Sequence, residues 1–407
     1  MSYILGTSIN PIKLADSAQN DAFGRLRISE PVSLIDTTFQ YGSNPLFWES
    51  VVIGNASTNL LQVESAIQLS CSSTNGDNAI RQTFEYYRYQ PGRSQQILMT
   101  GLLGAPKMNV EQYIGLFDAS NGLFFKQDGS TFNVCLRSHT SGTTITTLYN
   151  QPNWNIDHMD GYGPSQIKIN TSNAQIFVID FEWLGIGRVR FGFNVDGKTY
   201  YCHQILNANN ITSVYMASAN LPLRYELKNV GTTASSTTMK QLCSTVTSEG
   251  GSREFDGIIH SVNNGITSIA VTTRRPILSI TPKLLYNNLV NRSTLIYESF
   301  SIYPSSDIFY EIVYDGSLSG ASFNSAGINS TINFDVASTV ITGGEVIKSG
   351  YIPSTGGTQI GFSASINARL PLALNLAATK GKTLSIVITS ITGTANCLGS
   401  IDIREIY

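Results

Sequence analysis

Between Gln175 and Gln204 the residues alternate in a way that leaves few options for local structure. Val189, Phe191, Phe193 and Val195 fall on one parity, and Arg190, Gly192 and Asn194 on the other. That is period two, the signature of a strand with one face in a core. Asp196-Gly197 follows at once, a dipeptide suited to a type I′ turn, whose two central residues need positive φ. The spacing therefore predicts a hairpin in which Val195 faces Lys198, Asn194 faces Thr199, Phe193 faces Tyr200 and Phe191 faces Cys202. An aromatic pair such as Phe193–Tyr200 adds roughly 0.5 kcal/mol to the register. A chain built around such a hairpin belongs in an antiparallel sheet.

Composition extends this local reading to the whole chain. Only 13% of the 407 residues are charged, about half of what a typical soluble protein carries. Glu and Lys are sparse, which disfavours long helices, while Gly, Ser, Thr and Asn are abundant. Strand candidates recur at intervals of about ten residues from Phe47 onward, separated by turn signals such as Asn75-Gly76-Asp77, Asn121-Gly122, Asp128-Gly129 and Ser141-Gly142. Such spacing indicates β-sandwiches or barrels. Long strands rich in bulky aromatics favour a two-sheet sandwich. A Gly-Gly-Ser break at Gly250–Ser252 divides the chain. The expectation is an all-β protein with two antiparallel β-sandwich domains of the jelly-roll or concanavalin-like lectin type. Residues 1–46 form an extended N-terminal arm, 47–251 a large sandwich and 252–407 a second one. The segment 370–380 suits either a short helix or an extended crossover.

The formal charge of −2 supplies no basic field for a nucleic acid backbone. The opening residues lack the basic and apolar regions of a secretory signal, and no apolar run approaches the roughly 18 residues that a membrane span needs. Five cysteines (Cys71, Cys135, Cys202, Cys243, Cys397) are scattered without a CxxC pair, so they are expected to be buried free thiols. No phosphate-binding glycine loop and no Gly-x-Ser-x-Gly elbow occurs, and no cofactor or metal site is expected.

Two groups of residues invite a functional reading. In the first, Asp180 and Glu182 stand two apart, which on a strand places both carboxylates on one face; paired carboxylates on a curved sheet are how retaining glycosidases set acid and nucleophile. The run VIDFEWLG (Val178–Gly185) resembles the Glu-x-Asp-x-Glu run of laminarinase-type glycosidases over about eight residues. It departs from that pattern at the nucleophile position, which here is Val178, so no catalytic residue is assigned. Asp180 and Glu182 are expected either to pair within the sheet, with Arg188 or Arg190 as partners, or with Trp183 to line a sugar-binding groove. In the second group, Trp154, Asp157, His158 and Tyr162 sit in a nine-residue loop with the polar and aromatic groups of a glycan contact, or else form a solvated loop. Trp154 and Trp183 are equally suited to core packing.

Nearer the N-terminus, DAFGRLRISEPVSLID (Asp21–Asp36) is a dense linear motif. It reads either as an edge strand or as an arm that adds to a neighbouring subunit, with Phe23, Arg25, Arg27 and Asp36 as its anchoring residues. The same segment belongs to a wider pattern. Asp21–Asp36, PLFW (Pro45–Trp48), RQTFEYYRYQPGRSQQILMTG (Arg81–Gly101), GLFDASNGLFF (Gly115–Phe125), IFVIDFEWLGIGRVRFGFNVDGK (Ile176–Lys198), LNANNITSVYMASANLPLRYE (Leu206–Glu226), RPILSITPK (Arg275–Lys283) and ITGGEVIKSGY (Ile341–Tyr351) together resemble a family of virion proteins of tailed phages and large DNA viruses. The resemblance spans nearly the whole chain. It implies a non-enzymatic structural component of the particle, a capsid- or tail-associated decoration or fibre-type appendage, located in the virion after assembly in the host cytoplasm. Its partners would be other virion proteins and further copies of itself, by analogy a homotrimer, without nucleic acid or membrane. A receptor- or glycan-binding adhesion role toward the host surface is the alternative, and a polysaccharide depolymerase the third reading.

Overall fold

The computed structural model describes residues 17–250, 257–353, 362–366 and 370–407. Among them the regular structure is β, apart from two short 3₁₀ turns at Gln62–Glu64 and Gln151–Asn153. Every strand pairing is antiparallel. The fold is all-β, built from two antiparallel sandwiches, as the turn spacing predicts.

The first sandwich has a sheet in the order Lys198–Ile205, Val189–Val195, Gln175–Phe181, Gln95–Leu102, Thr237–Ser248, Ala66–Cys71 and Ser57–Leu61, with Val32–Thr37 also paired to Thr237–Ser248. Facing it is a sheet in the order Ile145–Asn150, Thr131–Ser138, Gly122–Asp128, Val110–Phe117, Leu223–Asn229, Asn78–Thr83 and Trp48–Ile53. Neighbouring strands are often far apart in sequence, as in jelly-roll sandwiches. Alternate residues meet between the layers: Phe177, Ile179, Phe181, Phe191 and Phe193 from one sheet pack with Ile114, Leu123, Phe125, Phe132 and Val134 from the other. Phe125 lies within 5.6 Å, ring centre to ring centre, of Phe177, Phe191 and Phe193, distances at which edge and tilted contacts add to burial.

The second sandwich pairs a sheet of Ile258–Asn263, Ala395–Ile406, Thr294–Pro304 and Phe362–Ser365, with Ile269–Val271 on Ala395–Ile406, against a sheet running Asn324–Ser325, Ile332–Asp335, Arg275–Pro282, Leu384–Ser390, Ile308–Tyr314 and Glu345–Ile352. Its core is aliphatic, dominated by Ile277, Ile280, Ile302, Ile312, Ile386 and Ile401. The segment 370–380 is neither helix nor strand: Asn375 closes a turn by accepting from Thr379 N at 2.8 Å and Lys380 N at 3.1 Å. That turn docks on the first sandwich, where Glu49 Oε2 accepts from Leu376 N at 2.6 Å. Beside it the Arg292 guanidinium lies 4.2 Å above the Tyr86 ring, and Lys382 Nζ lies 4.3 Å above Phe84.

Two expectations need correction here. The first concerns residues 1–46. Residues 1–16 lie outside the described residues, but from Ser17 onward the segment is part of the first sandwich. Val32–Thr37 is a strand of its sheet, Phe39 is fully buried against Trp48, and Leu46 reaches the second core. Asp36 is a residue of that strand, opposite Thr245, so it is not on a free arm. The break at 251/252 lies outside the described residues. The second correction concerns the hairpin. Val195–Lys198, Asn194–Thr199 and Phe193–Tyr200 pair as expected, and Asp196 and Gly197 take φ of 50° and 77°. Beyond them the register shifts: Gly192 opposes Tyr201, and Phe191 opposes His203. Cys202 is the inserted residue of a β-bulge, its thiol directed at Phe191 O at 3.4 Å. The bulge sits at Gly192, where a Cβ would come within 2.3 Å of Tyr200 O, so the close approach of the two backbones requires glycine.

Candidate functional site

The strand Gln175–Phe181 sends Phe177, Ile179 and Phe181 into the core, so Val178 and Asp180 fall on the outer face of the sheet. Asp180 is nevertheless fully buried. It sits under the segment 17–29, which folds back across the strand.

That segment holds its own shape. Asp21 N donates to Arg25 O at 2.7 Å and Gly24 N to Asp21 O at 2.9 Å. The Asp21 carboxylate accepts from Arg25 N and Arg25 Nε, both at 2.8 Å. Gly24 turns the chain at a φ of 77°, and Arg27 N donates to Gln19 O at 2.9 Å. Four arginines then join loop and sheet. Arg27 Nη2 donates to Asp180 Oδ2 at 2.8 Å, and its Nη1 pairs with Glu249. Arg190 pairs with Asp180 and donates to Asn20 O at 2.7 Å. Arg188 Nε donates to Ala22 O at 2.9 Å, while Arg25 Nη1 reaches Gly92 O at 3.2 Å. Ser94 completes the contact by accepting from Ala22 N at 3.1 Å and donating to Asp180 Oδ1 at 2.8 Å. Tyr201, turned to this face beside the bulge, donates to Asp180 Oδ2 at 2.9 Å under the Arg190 guanidinium, 4.1 Å above its ring.

The electrostatics follow from this packing. Asp180 accepts from four donors, Arg27, Arg190 and Tyr201 at Oδ2 and Ser94 at Oδ1. Burial and the neighbouring Asp180 carboxylate push the Tyr201 hydroxyl above its ordinary pKa. Burial alone would lower Arg27, but Asp180, Tyr201 and Glu249 together raise it. Arg25, Arg27, Arg188 and Arg190 face Asp21, Asp180, Glu182 and Glu249, so positive and negative charges balance.

Glu182 follows Asp180 just past the end of the strand, and its N donates to Arg188 O at 3.0 Å. The strand ends at Phe181, and Glu182 opens the turn to the next strand, where its Oε1 accepts from Arg188 N at 3.0 Å. Burial raises its pKa, against the lowering effect of Arg188. Trp183 is half-buried, edge-on to Tyr89 at 6.1 Å, and donates from Nε1 to Met216 O at 3.2 Å. Of the two expected pairings of Asp180, the structure contains Arg190; the unforeseen partners are Arg27, 153 positions earlier, Ser94 and Tyr201. No local pattern marks contacts at that separation.

The loop at Trp154–Tyr162 lies across the sheet from Asp180. Trp154 is 2% exposed, packed between Phe132 and Phe193, with Nε1 donating to Tyr149 O at 2.9 Å. It is a core residue, with no ring face left for a sugar. Asp157 is buried and spends both oxygens on the loop, accepting from Met159 N at 2.8 Å and Ser165 N at 2.7 Å. His158 and Tyr162 are exposed. The seven residues considered for glycan contact therefore do not form one groove: Trp154 and Asp157 are buried, Asp180 is covered by the N-terminal segment, and Trp183 packs against the core. Among the described residues no cluster of His, Cys, Asp or Glu is placed to hold a metal ion. All five cysteines are free; four are buried and Cys243 is exposed, and burial pushes the Cys135 and Cys397 thiols up to about 12.

Beside the loop, His203 accepts from Asn155 N at its Nδ1 at 3.2 Å and packs tilted against the Tyr149 ring at 4.5 Å. Burial lowers its pKa to about 4. A depressed histidine favours the fold in its neutral form, so its contribution is present above the unfolded pKa of about 6.5 and fades as pH falls toward 4. Unfolding midpoints measured by urea across that window should fall for the natural chain, and His203→Gln should flatten the slope.

No protein-family model matches the chain, and no curated protein does. Among solved structures it is similar to a glycoside hydrolase family 16 enzyme of Bacteroides ovatus, which aligns over 52% of this chain and 99% of its own at 8% identity and a TM-score of 0.36. A family 16 glycosyl hydrolase of Mycobacterium smegmatis aligns over 53% and 100% at 10% identity and 0.36. A protein of unknown function from Shewanella oneidensis aligns over 55% and 90% at 11% identity and 0.35. Likenesses this distant carry no argument about chemistry.

Proposed function

We propose that the chain is a non-enzymatic structural protein of a virus particle, a decoration or fibre-type component on capsid or tail that acts with other virion proteins and with copies of itself. The sequence resemblance supports the virion assignment. One structural observation supports the architectural role: the two most distinctive motifs of that resemblance, Asp21–Asp36 and Ile176–Lys198, meet each other at Arg27 and Asp180. Residues that meet as a buried, charge-balanced lock serve the fold. The same observation weighs against glycoside hydrolysis at this strand, because Asp180 is fully buried and held by Arg27 and Arg190, and the nucleophile position is Val178, itself fully buried. The glycan-binding alternative loses Trp154, Asp157 and Asp180 as contact residues.

Antibodies raised against the purified chain should decorate intact particles of the virus that encodes it, seen by immunogold microscopy. Labelling confined to infected-cell lysate, with purified particles bare, would contradict the assignment. Incubation with laminarin-type glucans should release no reducing ends; sustained release would restore the enzyme reading.

A further inference from the structure

The segment 17–29 has the construction of a separate plug rather than of a strand grown into the sheet. Its internal bonds, from Asp21 to Arg25 and Gly24 and from Arg27 to Gln19, are made within the segment itself, so part of its shape is set locally. Its contacts with that surface are almost all polar: Ser94, Asp180, Arg188, Arg190 and Glu249 hold it, and Ala22 is its one fully buried apolar side chain. Its link to the body is short. Ser29, Glu30 and Pro31 are exposed; Ser29 at the end of the segment donates to Glu249 at 3.2 Å, and Pro31 has no N–H to bond and holds the residue before it extended. The first ladder partner after the link is Val32, opposite Ser248.

We infer that residues 17–29 are an exchangeable plug whose socket, at Ser94, Asp180, Arg188, Arg190 and Glu249, accepts the same segment of a second copy of this chain. An identical socket on a neighbour offers the same bonds, so the closed and exchanged forms differ by little beyond tethering. The tether sets the conditions. A short link gives the chain's own plug an effective concentration of about millimolar, so dilute protein is closed on itself. Copies brought to that density, as in an ordered array, trade plugs. Salt screens only the ion pairs at the rim, such as Arg25 with Asp21, while the buried pairs at Asp180 are screened much less, so high salt combined with dilute urea is needed to speed the exchange.

The test uses full-length chains in a Cys243→Ser background, which removes the exposed thiol. Ala22→Cys and Ser94→Cys are introduced on separate chains, since Ala22 N and Ser94 Oγ lie 3.1 Å apart; a chain with both substitutions is the closed control. The two single variants are mixed, exposed briefly to high salt with dilute urea, returned to low salt without urea at micromolar or about millimolar concentration and oxidised. The expected result is a dimer joined through positions 22 and 94, identified by peptide mass, abundant at the higher concentration and scarce at the lower. Adding Arg27→Glu to the Ala22→Cys chain should suppress it. If the control closes within one chain while the mixture gives no such dimer at either concentration, or if Arg27→Glu leaves the yield unchanged, the inference is overturned.

Discussion

Asp180→Ala should destabilise the chain by about 3–5 kcal/mol, the usual cost of removing one partner from a buried ion pair. Asp180 is fully buried and holds Arg27, Arg190, Tyr201 and Ser94. Without it the buried Arg190 loses a charge partner and the buried Tyr201 hydroxyl loses its acceptor, each of which carries a desolvation penalty. Asp180→Asn keeps the volume and one acceptor, so it should cost less. The comparison also separates two readings of the residue. Catalytic carboxylates are commonly held at the expense of stability, so replacing one leaves the fold as stable or more so. Urea unfolding of the two variants checks this: a loss of several kcal/mol supports the lock, and an unchanged or raised midpoint contradicts it.

Trp154→Ala should cost a similar amount, about 3–5 kcal/mol, because a large aromatic side chain leaves the core. The indole fills the space between Phe132 and Phe193 and satisfies Tyr149 O. Trp154→Phe, which keeps most of the ring volume and loses only the Nε1 bond, should cost far less. A surface tryptophan kept for ligand stacking would behave otherwise, with its removal changing stability by no more than about 0.5 kcal/mol. Thermal and urea unfolding of the two variants distinguish these outcomes.

These two residues also show where sequence reasoning reached and where it stopped. The hairpin was legible because period two and Asp-Gly act over a few residues, and its first three pairs stand as expected. The bulge had a local sign, a lone glycine inside a strand at Gly192, but alternation alone passes over it. Trp154 sits in a loop with Asp157 and His158, a composition that suits a ligand site and a packed turn equally; only the opposite sheet, through Phe132, decides. The partner of Asp180 was half legible. Arg190 is ten residues away, across a hairpin whose register is readable. Arg27 is joined to it by the return of the N-terminal segment over the sheet, a contact fixed by the whole fold. The N-terminal segment was misjudged for the same reason: an extended arm was expected, yet its Arg27 meets Asp180 and Glu249, which only the folded sheet brings together.

A double-mutant cycle on Arg27 and Asp180 tests the central claim most directly. Arg27→Met, Asp180→Asn and the double variant are unfolded in urea, and the interaction energy is the difference between the double change and the sum of the singles. Residues in one buried network couple by roughly 0.5–3 kcal/mol, and a lock at Asp180 predicts a value in the upper half of that range. Additive effects, with no coupling beyond error, would mean that the N-terminal motif and the strand motif do not hold each other, and the architectural account of this site would fall.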